Sequence, residues 1–273
     1  MNALKTTAHA VSITAGRLTG GARMLPSFLI VGAQRCGTTS LYRALSQHPQ
    51  VAKPVLRKGV HYFDMAYGRS LSWYRAHFPL RRTGMLAFES SPYYLFHPLA
   101  GLRIAWDLPD VKIVVLVRDP VERAISAHAH ELARGFESEP SFARAVELEP
   151  ERLAGENARL CAAPLSSSHA HRHHAYLARG RYAEQLARLD PIIARDRIKV
   201  IDSGRFFTDP LPVYADLLDF LGLPPAADPV FDRHNARTHA EIDPALRTRL
   251  SNDFLPWDAL LLPWLDATPS WRA

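Results

Sequence analysis

At 273 residues and 30.6 kDa the chain suits one large α/β domain, or one domain with a small appendage, rather than two full domains. With 47% hydrophobic and 22% charged residues, wholesale disorder, a collagen-like repeat and a coiled-coil rod are excluded. Lys plus Arg number 33 against 27 Asp plus Glu, a net charge of +6 that admits an anionic ligand. There is no dense basic run and no motif of the kind that binds nucleic acid.

Residues 1–25 lack a sustained apolar helical period and end in Gly20-Gly21, which predicts a mobile leader outside the fold. Cys36 and Cys161 are too few for a disulfide framework, so a reducing, cytoplasmic setting is expected; no apolar stretch is long enough for a membrane span. From Pro26 the pattern sharpens: SFLIVG (27–32) reads as a buried strand, 32–39 as a glycine-bracketed turn, and TTSLYRALSQH (38–48) as a helix closed before Pro49. A second strand is expected at 84–89. A third, at 111–117 (VKIVVLV), has the continuous apolar run of a parallel strand covered on both faces. Asp119 can cap, and Pro120 open, a helix that Gly135 ends.

Residues 137–175, rich in Glu, Pro, Ser and His, break the alternation and read as an insertion or lid. Its SSSHAHRHH tract (166–174) has neither Cys nor carboxylate partners and fits a solvated loop better than a metal site. A helix around Tyr182–Leu189, a strand at 197–202 and a helix at 211–223 complete the series. The expected architecture is α/β: a P-loop-like, doubly wound parallel sheet flanked by helices, in one domain over 26–265, with 266–273 as a C-terminal tail.

GAQRCGTTS (32–40) lies directly after a strand and directly before a helix. Consecutive backbone N–H groups and a helix N-terminus there make an anion cradle: Gly32 and Gly37 allow close approach, and Thr38, Thr39 and Ser40 add hydroxyl donors. The GxxxxG spacing matches a nucleotide P-loop, but Thr38 stands where a nucleoside triphosphatase needs Lys, and the cation sits inside the loop at Arg35. In VVLVRDPVERAISAH, Arg118 ends a strand and Ser126 follows about two helical turns on. A guanidinium fork and a hydroxyl there suit a second phosphate, although Arg118 could equally pair with a neighbouring carboxylate.

FLIVGAQRCGTTSLYRALSQHP resembles the 5′-phosphosulfate loop of sulfotransferases that use 3′-phosphoadenosine 5′-phosphosulfate (PAPS), and VVLVRDPVERAISAH resembles their 3′-phosphate motif. GVHYFD (59–64), ESSPYY (89–94), GRY (180–182), the FLGLP ending at Pro224 and NARTHAEIDPALRTRL (235–250) resemble landmarks of the heparan-sulfate-type branch and its bacterial relatives. The resemblance implies PAPS as donor, its bisphosphate PAP as product, and no metal. It implies Arg35, Cys36, Gly37, Thr38, Thr39, Ser40, Arg118, Ser126 and Arg237 as donor-binding residues, with Arg35 stabilising the leaving group. Arg35 replaces the family's loop lysine, the branch's general-base glutamate falls at Gly59, and its lysine after the second motif falls at Ser90. The histidine of the cytosolic phenol and steroid enzymes is also missing from 89–92.

With the usual base absent, Glu89, at the end of the second strand, and His61, two residues from Gly59, are the catalytic candidates, Glu89 slightly favoured and each with a structural alternative. His128 and His130 rank below them. The expected acceptor is a hydroxyl or amine of a small molecule, glycolipid or carbohydrate. Tyr62, Phe63, Trp73, Tyr74, Phe78, Tyr93, Tyr94 and Phe96 line its pocket or form core, and Arg57, Lys58, Arg81 and Arg82 face an acidic acceptor or solvent. Oligomeric state is not legible. The alternatives are a P-loop small-molecule kinase and a nucleotide-binding module without catalysis.

Overall fold

A computed structural model of the chain describes residues 16, 19–55, 57–231 and 242–273. Its centre is a parallel sheet of β1 (Phe28–Gly32), β2 (Val51–Ala52), β3 (Leu86–Ser90), β4 (Lys112–Val117) and β5 (Ile198–Asp202), in the order β2-β3-β1-β4-β5. Every residue of β1 is buried, and so is β4 after Lys112. Their continuous apolar runs are what a strand covered on both faces requires. Phe28 pairs with Phe88 of β3 on one side and with Lys112 of β4 on the other. The chain thus leaves β1 for one half of the sheet and crosses back over it to build the other, which makes the end of β1 the topological switch point where open α/β sheets bind ligands.

The helices are α1 (Thr38–Leu45), α2 (Tyr62–Met65), α3 (Leu71–Arg75), α4 (Ala100–Asp107), α5 (Pro120–Ala133), α6 (Phe142–Leu153), α7 (Glu156–Ala162), α8 (His169–His173), α9 (Tyr182–Leu189), α10 (Ser203–Thr208), α11 (Pro210–Leu221), α12 (Pro244–Asp253) and α13 (Leu255–Leu261). The expected doubly wound α/β architecture is observed. Asp119 caps α5 by accepting from the Val121 and Glu122 N–H groups, with Pro120 in the first turn as expected. None of the described helices is long and apolar enough to cross a membrane.

Three boundaries differ from expectation. The leader is already packed before Pro26: Met24 is buried, its N–H bonds Pro79 O at 3.0 Å, and Arg23 Nη1 reaches Phe78 O at 2.6 Å. The C-terminal tail docks on the open end of β5, where Ser270 donates its N–H and hydroxyl to Asp202 at 2.7 and 2.8 Å. Residues 137–175 are α6, α7 and α8, and the histidine tract is no solvated loop. His171 is buried between Tyr93 OH (2.7 Å) and Asn157 Oδ1 (2.8 Å), and His173 lies 2.8 Å from Glu131 Oε2. His169 and His174 both bond Phe136 O. Among the described residues no group of three or more His, Cys, Asp or Glu is placed to hold a metal ion.

Candidate active site

All five parallel strands end on one edge of the sheet, and the loops after β1, β2, β4 and β5, with the end of β3, form the site. After Ile30 the pairing of β1 with β4 slips by a residue, Gly32 facing Val115. This releases the 32–37 loop upward, with the Ala33 N–H still tied to Leu116 O at 2.8 Å. Arg35 and Gly37 both take left-handed backbone (φ 70° and 85°), turning the chain sharply into α1. At Gly37 a Cβ would lie 2.8 Å from the Phe207 ring, so glycine is required by space as well as by backbone. Buried Cys36 fixes the loop from below: its carbonyl accepts from Ser203 Oγ at 2.5 Å, and its thiol lies 3.6 Å from Tyr182 OH. Burial pushes that thiol's pKa up, so Cys36 is a packing residue, and its backbone N–H closes the turn by bonding Ala33 O at 3.2 Å.

The two motifs separated in sequence meet here. Arg35 Nε donates to Ser126 Oγ at 3.0 Å, joining the loop after β1 to the second turn of α5. Arg118 stands at the end of β4 with about a third of its side chain exposed and Glu122 Oε2 at 3.6 Å, while its carbonyl accepts from Tyr182 OH. An exposed pair at that distance leaves the guanidinium available to a phosphate. Thr38 and Ser40 are buried in the first turn of α1, beside Thr39. Arg237 lies outside the described residues.

Glu89 is fully buried and both its oxygens are occupied. Oε1 accepts from Tyr74 OH (2.8 Å) and Tyr94 OH (2.7 Å); Oε2 accepts from the Val60 N–H (2.5 Å) and Ser91 Oγ (2.7 Å). Burial raises its pKa against the opposing pull of these donors. Its geometry is that of a brace holding the 58–61 segment to β3.

His61 is different. It takes left-handed backbone (φ 56°), presents about a third of its side chain to solvent, and has Nδ1 2.8 Å from Oδ2 of buried Asp64. Burial alone would lower its pKa, but the hydrogen bond and charge of Asp64, helped by Glu89, raise it above the ordinary histidine value. With Nδ1 held by a carboxylate, the outward Nε2 is set as the proton acceptor. Gly59 is pressed against β3: a Cβ there would meet Ser90 O at 2.4 Å and Ser91 Oγ at 2.7 Å, so no side chain fits at that point. His128 is buried against Glu139 O, away from the loop. Tyr62, Phe63, Tyr74, Phe78, Tyr93, Tyr94 and Phe96 are buried, and Tyr94 also lines a cavity with His97, Gln185 and Arg188.

Lys58 is the residue whose place the sequence did not disclose. Arg57, Arg81 and Arg82 are exposed, but Lys58 turns inward and donates to Thr38 Oγ1 at 3.1 Å and Thr39 Oγ1 at 2.9 Å, on the donor loop itself. Burial, reinforced by the positive charge of Arg43, lowers its pKa to about 7. Gln34 ties the loop to the insertion: its Nε2 donates to Glu131 Oε1 at 2.9 Å, and its Oε1 accepts from buried Arg179 at 2.5 Å.

A glycine-rich turn at a sheet switch point is thus joined to a second cationic motif through Arg35 and Ser126, which brings the two candidate anion motifs side by side. Residues 25–240 match the family model described as "Sulfotransferase domain", and the chain belongs to that family. It is 32% identical over 205 residues to heparan sulfate glucosamine 3-O-sulfotransferase 6 of Mus musculus, covering 74% of this chain and 54% of that protein. To heparan sulfate glucosamine 3-O-sulfotransferase 5 of Homo sapiens it is 25% identical over 274 residues, covering 91% and 75%. The chain thus spans about half the length (54%) of the curated relative it matches first. A crystal structure of a sulfotransferase from Alicyclobacillus acidocaldarius is 32% identical, with a TM-score of 0.70 over 92% of this chain and all of that one.

Proposed function

We propose that the chain is a PAPS-dependent sulfotransferase acting on a hydroxyl of a carbohydrate acceptor. The observation that carries this is the Arg35–Ser126 hydrogen bond, which joins the two anion motifs into one site. The residues fit the donor. Backbone N–H groups at the start of α1 and the Thr38, Thr39 and Ser40 hydroxyls suit its 5′-phosphosulfate end, while Arg118 and Ser126 suit its 3′-phosphate. The relatives' sugar substrates support a carbohydrate acceptor in preference to an unrelated small molecule. A cytoplasmic setting belongs to the same proposal, on the strength of two free cysteines, one of them exposed.

In the transfer a bond forms between the acceptor oxygen and sulfur as the bond from sulfur to the bridging phosphate oxygen breaks, and the acceptor's proton leaves with a base. His61 Nε2 is that base, oriented by Asp64, and Glu89 is the brace that holds the segment carrying His61. Arg35 lies where negative charge develops on the departing phosphate, a role its fixed charge serves at any working pH. Label transfer from ³⁵S-PAPS to a panel of amino-sugar oligosaccharides and simple alcohols tests the proposal. Labelled saccharide in the wild type, lost in His61→Ala, supports it; labelling of the simple alcohols alone overturns the carbohydrate acceptor.

A further inference from the structure

Lys58 is a half-buried residue whose amine is lodged against the N-terminus of a helix. Nζ spends two N–H bonds on Thr38 Oγ1 and Thr39 Oγ1, which open α1 directly after its left-handed N-cap Gly37. A helix N-terminus is the positive end of the helix dipole and disfavours a cation placed beside it. The other groups facing Lys58 do not compensate. Arg43, on the same helix, adds positive charge, and the Tyr42 ring lies 5.9 Å from Nζ. From the sheet side, Glu89 is committed to Val60, Ser91, Tyr74 and Tyr94. Among the described residues no carboxylate forms an ion pair with Lys58. A partly buried amine without a counter-charge belongs to a place that an anion will occupy, and the hydroxyls it touches are those of the phosphate cradle.

We infer that Lys58 is a donor-site cation whose charge is completed by the ligand: it takes up a proton as the 5′-phosphate end of the donor enters the cradle. This rests on the donor site proposed above. The protein without ligand holds the amine largely neutral above pH 7. An entering anion beside Nζ favours the ammonium form, so one proton moves from solvent to Nζ and no covalent bond changes. Because the bound state holds the extra proton, donor affinity falls as pH rises above the free-state value, by up to about tenfold per pH unit. Held as ammonium, Lys58 donates to Thr38 and Thr39, so it positions the cradle as well as charging it.

The test is calorimetric titration of the full chain with PAP at pH 8.0, 8.5 and 9.0, in buffers of differing ionisation enthalpy, above the range in which a phosphate's second proton titrates (~6). The wild type is expected to take up about one proton per PAP at pH 8.5 and to lose affinity close to tenfold from pH 8 to 9. Lys58→Met is expected to bind PAP at least about tenfold more weakly at pH 7, with no proton uptake, and Lys58→Arg, always charged, to bind with an affinity that does not change with pH. Wild-type PAP binding without proton uptake overturns the inference even if Lys58→Met fails to fold, and so does uptake that persists in a folded Lys58→Met. No PAP binding by the wild type at any pH overturns the donor site itself, which is a separate result.

Discussion

His61 and Gly59 show how much a single position decides here. Because the hydrogen bond and charge of Asp64, with Glu89, raise the His61 pKa above its ordinary value, the base proposed above is protonated, and idle, over a wider range than a free histidine. At saturating donor, kcat is therefore expected to rise with pH along a limb centred above about 6.5. His61→Ala is expected to lower kcat by about 10²–10⁴ and abolish that limb while leaving PAP affinity unchanged. A pH–rate profile of the two proteins checks this, and an intact limb in His61→Ala would return the proton to another group. Gly59→Glu, which puts back the family's usual base, is expected to give no gain: its Cβ meets the Ser90 carbonyl at 2.4 Å. The expected result is a loss of stability of about 1–3 kcal/mol in urea unfolding, with no rise in kcat. The two motifs that Arg35 and Ser126 join were legible in the sequence because each has a fixed spacing, whereas His61 was a candidate only for lying two residues from Gly59, with Glu89 favoured over it. Lys58 was not legible, because nothing in a run of residues 57–60 says which side chain turns in. That is decided by Glu89 and the Ser90 N–H, which hold the Val60 N–H and the Lys58 carbonyl against β3.

Among the elements, β1, β3, β4, β5 and the helices α1, α5, α9 and α11 were legible because a strand buried on both faces has a continuous apolar run and α5 carries an explicit cap at Asp119; α4 and α10, directly after β3 and β5, were not. β2 is only Val51–Ala52, too short to carry a pattern. The three helices of 137–175 were hidden by polar composition, since they are secured less by an apolar face than by buried hydrogen bonds. Glu137 is the clearest case: it accepts from Arg152, Tyr176 OH and the Ser138 and Glu139 N–H groups. Burial would raise its pKa, but these donors, the Glu139 N–H first, bring it down to about 2. The folded value lies below the unfolded one, so this stabilisation is fully present above about pH 4.5 and drains away as pH falls toward 2. Hydrogen exchange of α6–α8 as pH is lowered from 5 to 3 is expected to rise before that of β1 and β4, and Glu137→Gln is expected to show the same early exchange at pH 7. In the donor loop, Gly37→Ala must place a Cβ at φ 85° and against Phe207. Urea unfolding is expected to show a loss of about 1–2 kcal/mol from the backbone alone, together with weaker PAP binding.

At the scale of the molecule, the sheet order places four loops on one edge, with the switch point at β1 between the halves. Each loop contributes a distinct part: the cradle after β1, the His61 segment after β2 and braced against β3, Arg118 after β4, and Ser203 beneath Cys36 after β5. The chain's last residues close the β5 side through Ser270 on Asp202, and Arg272 bonds Asp258 at 2.7 Å. No local pattern announces such long-range docking, which is why residues 266–273 read as a tail in the sequence. The central claim is that this edge binds a nucleotide carrying separate 5′ and 3′ phosphates, not a triphosphate. The most direct test is calorimetric titration of the purified chain with PAP in the absence of metal, beside ATP with Mg²⁺, with Arg118→Ala as control. PAP is expected to bind in the micromolar range, to weaken by about 1.5–3 kcal/mol in the control, and to outcompete ATP. Binding of ATP with Mg²⁺ and none of PAP would contradict the account and favour a P-loop kinase.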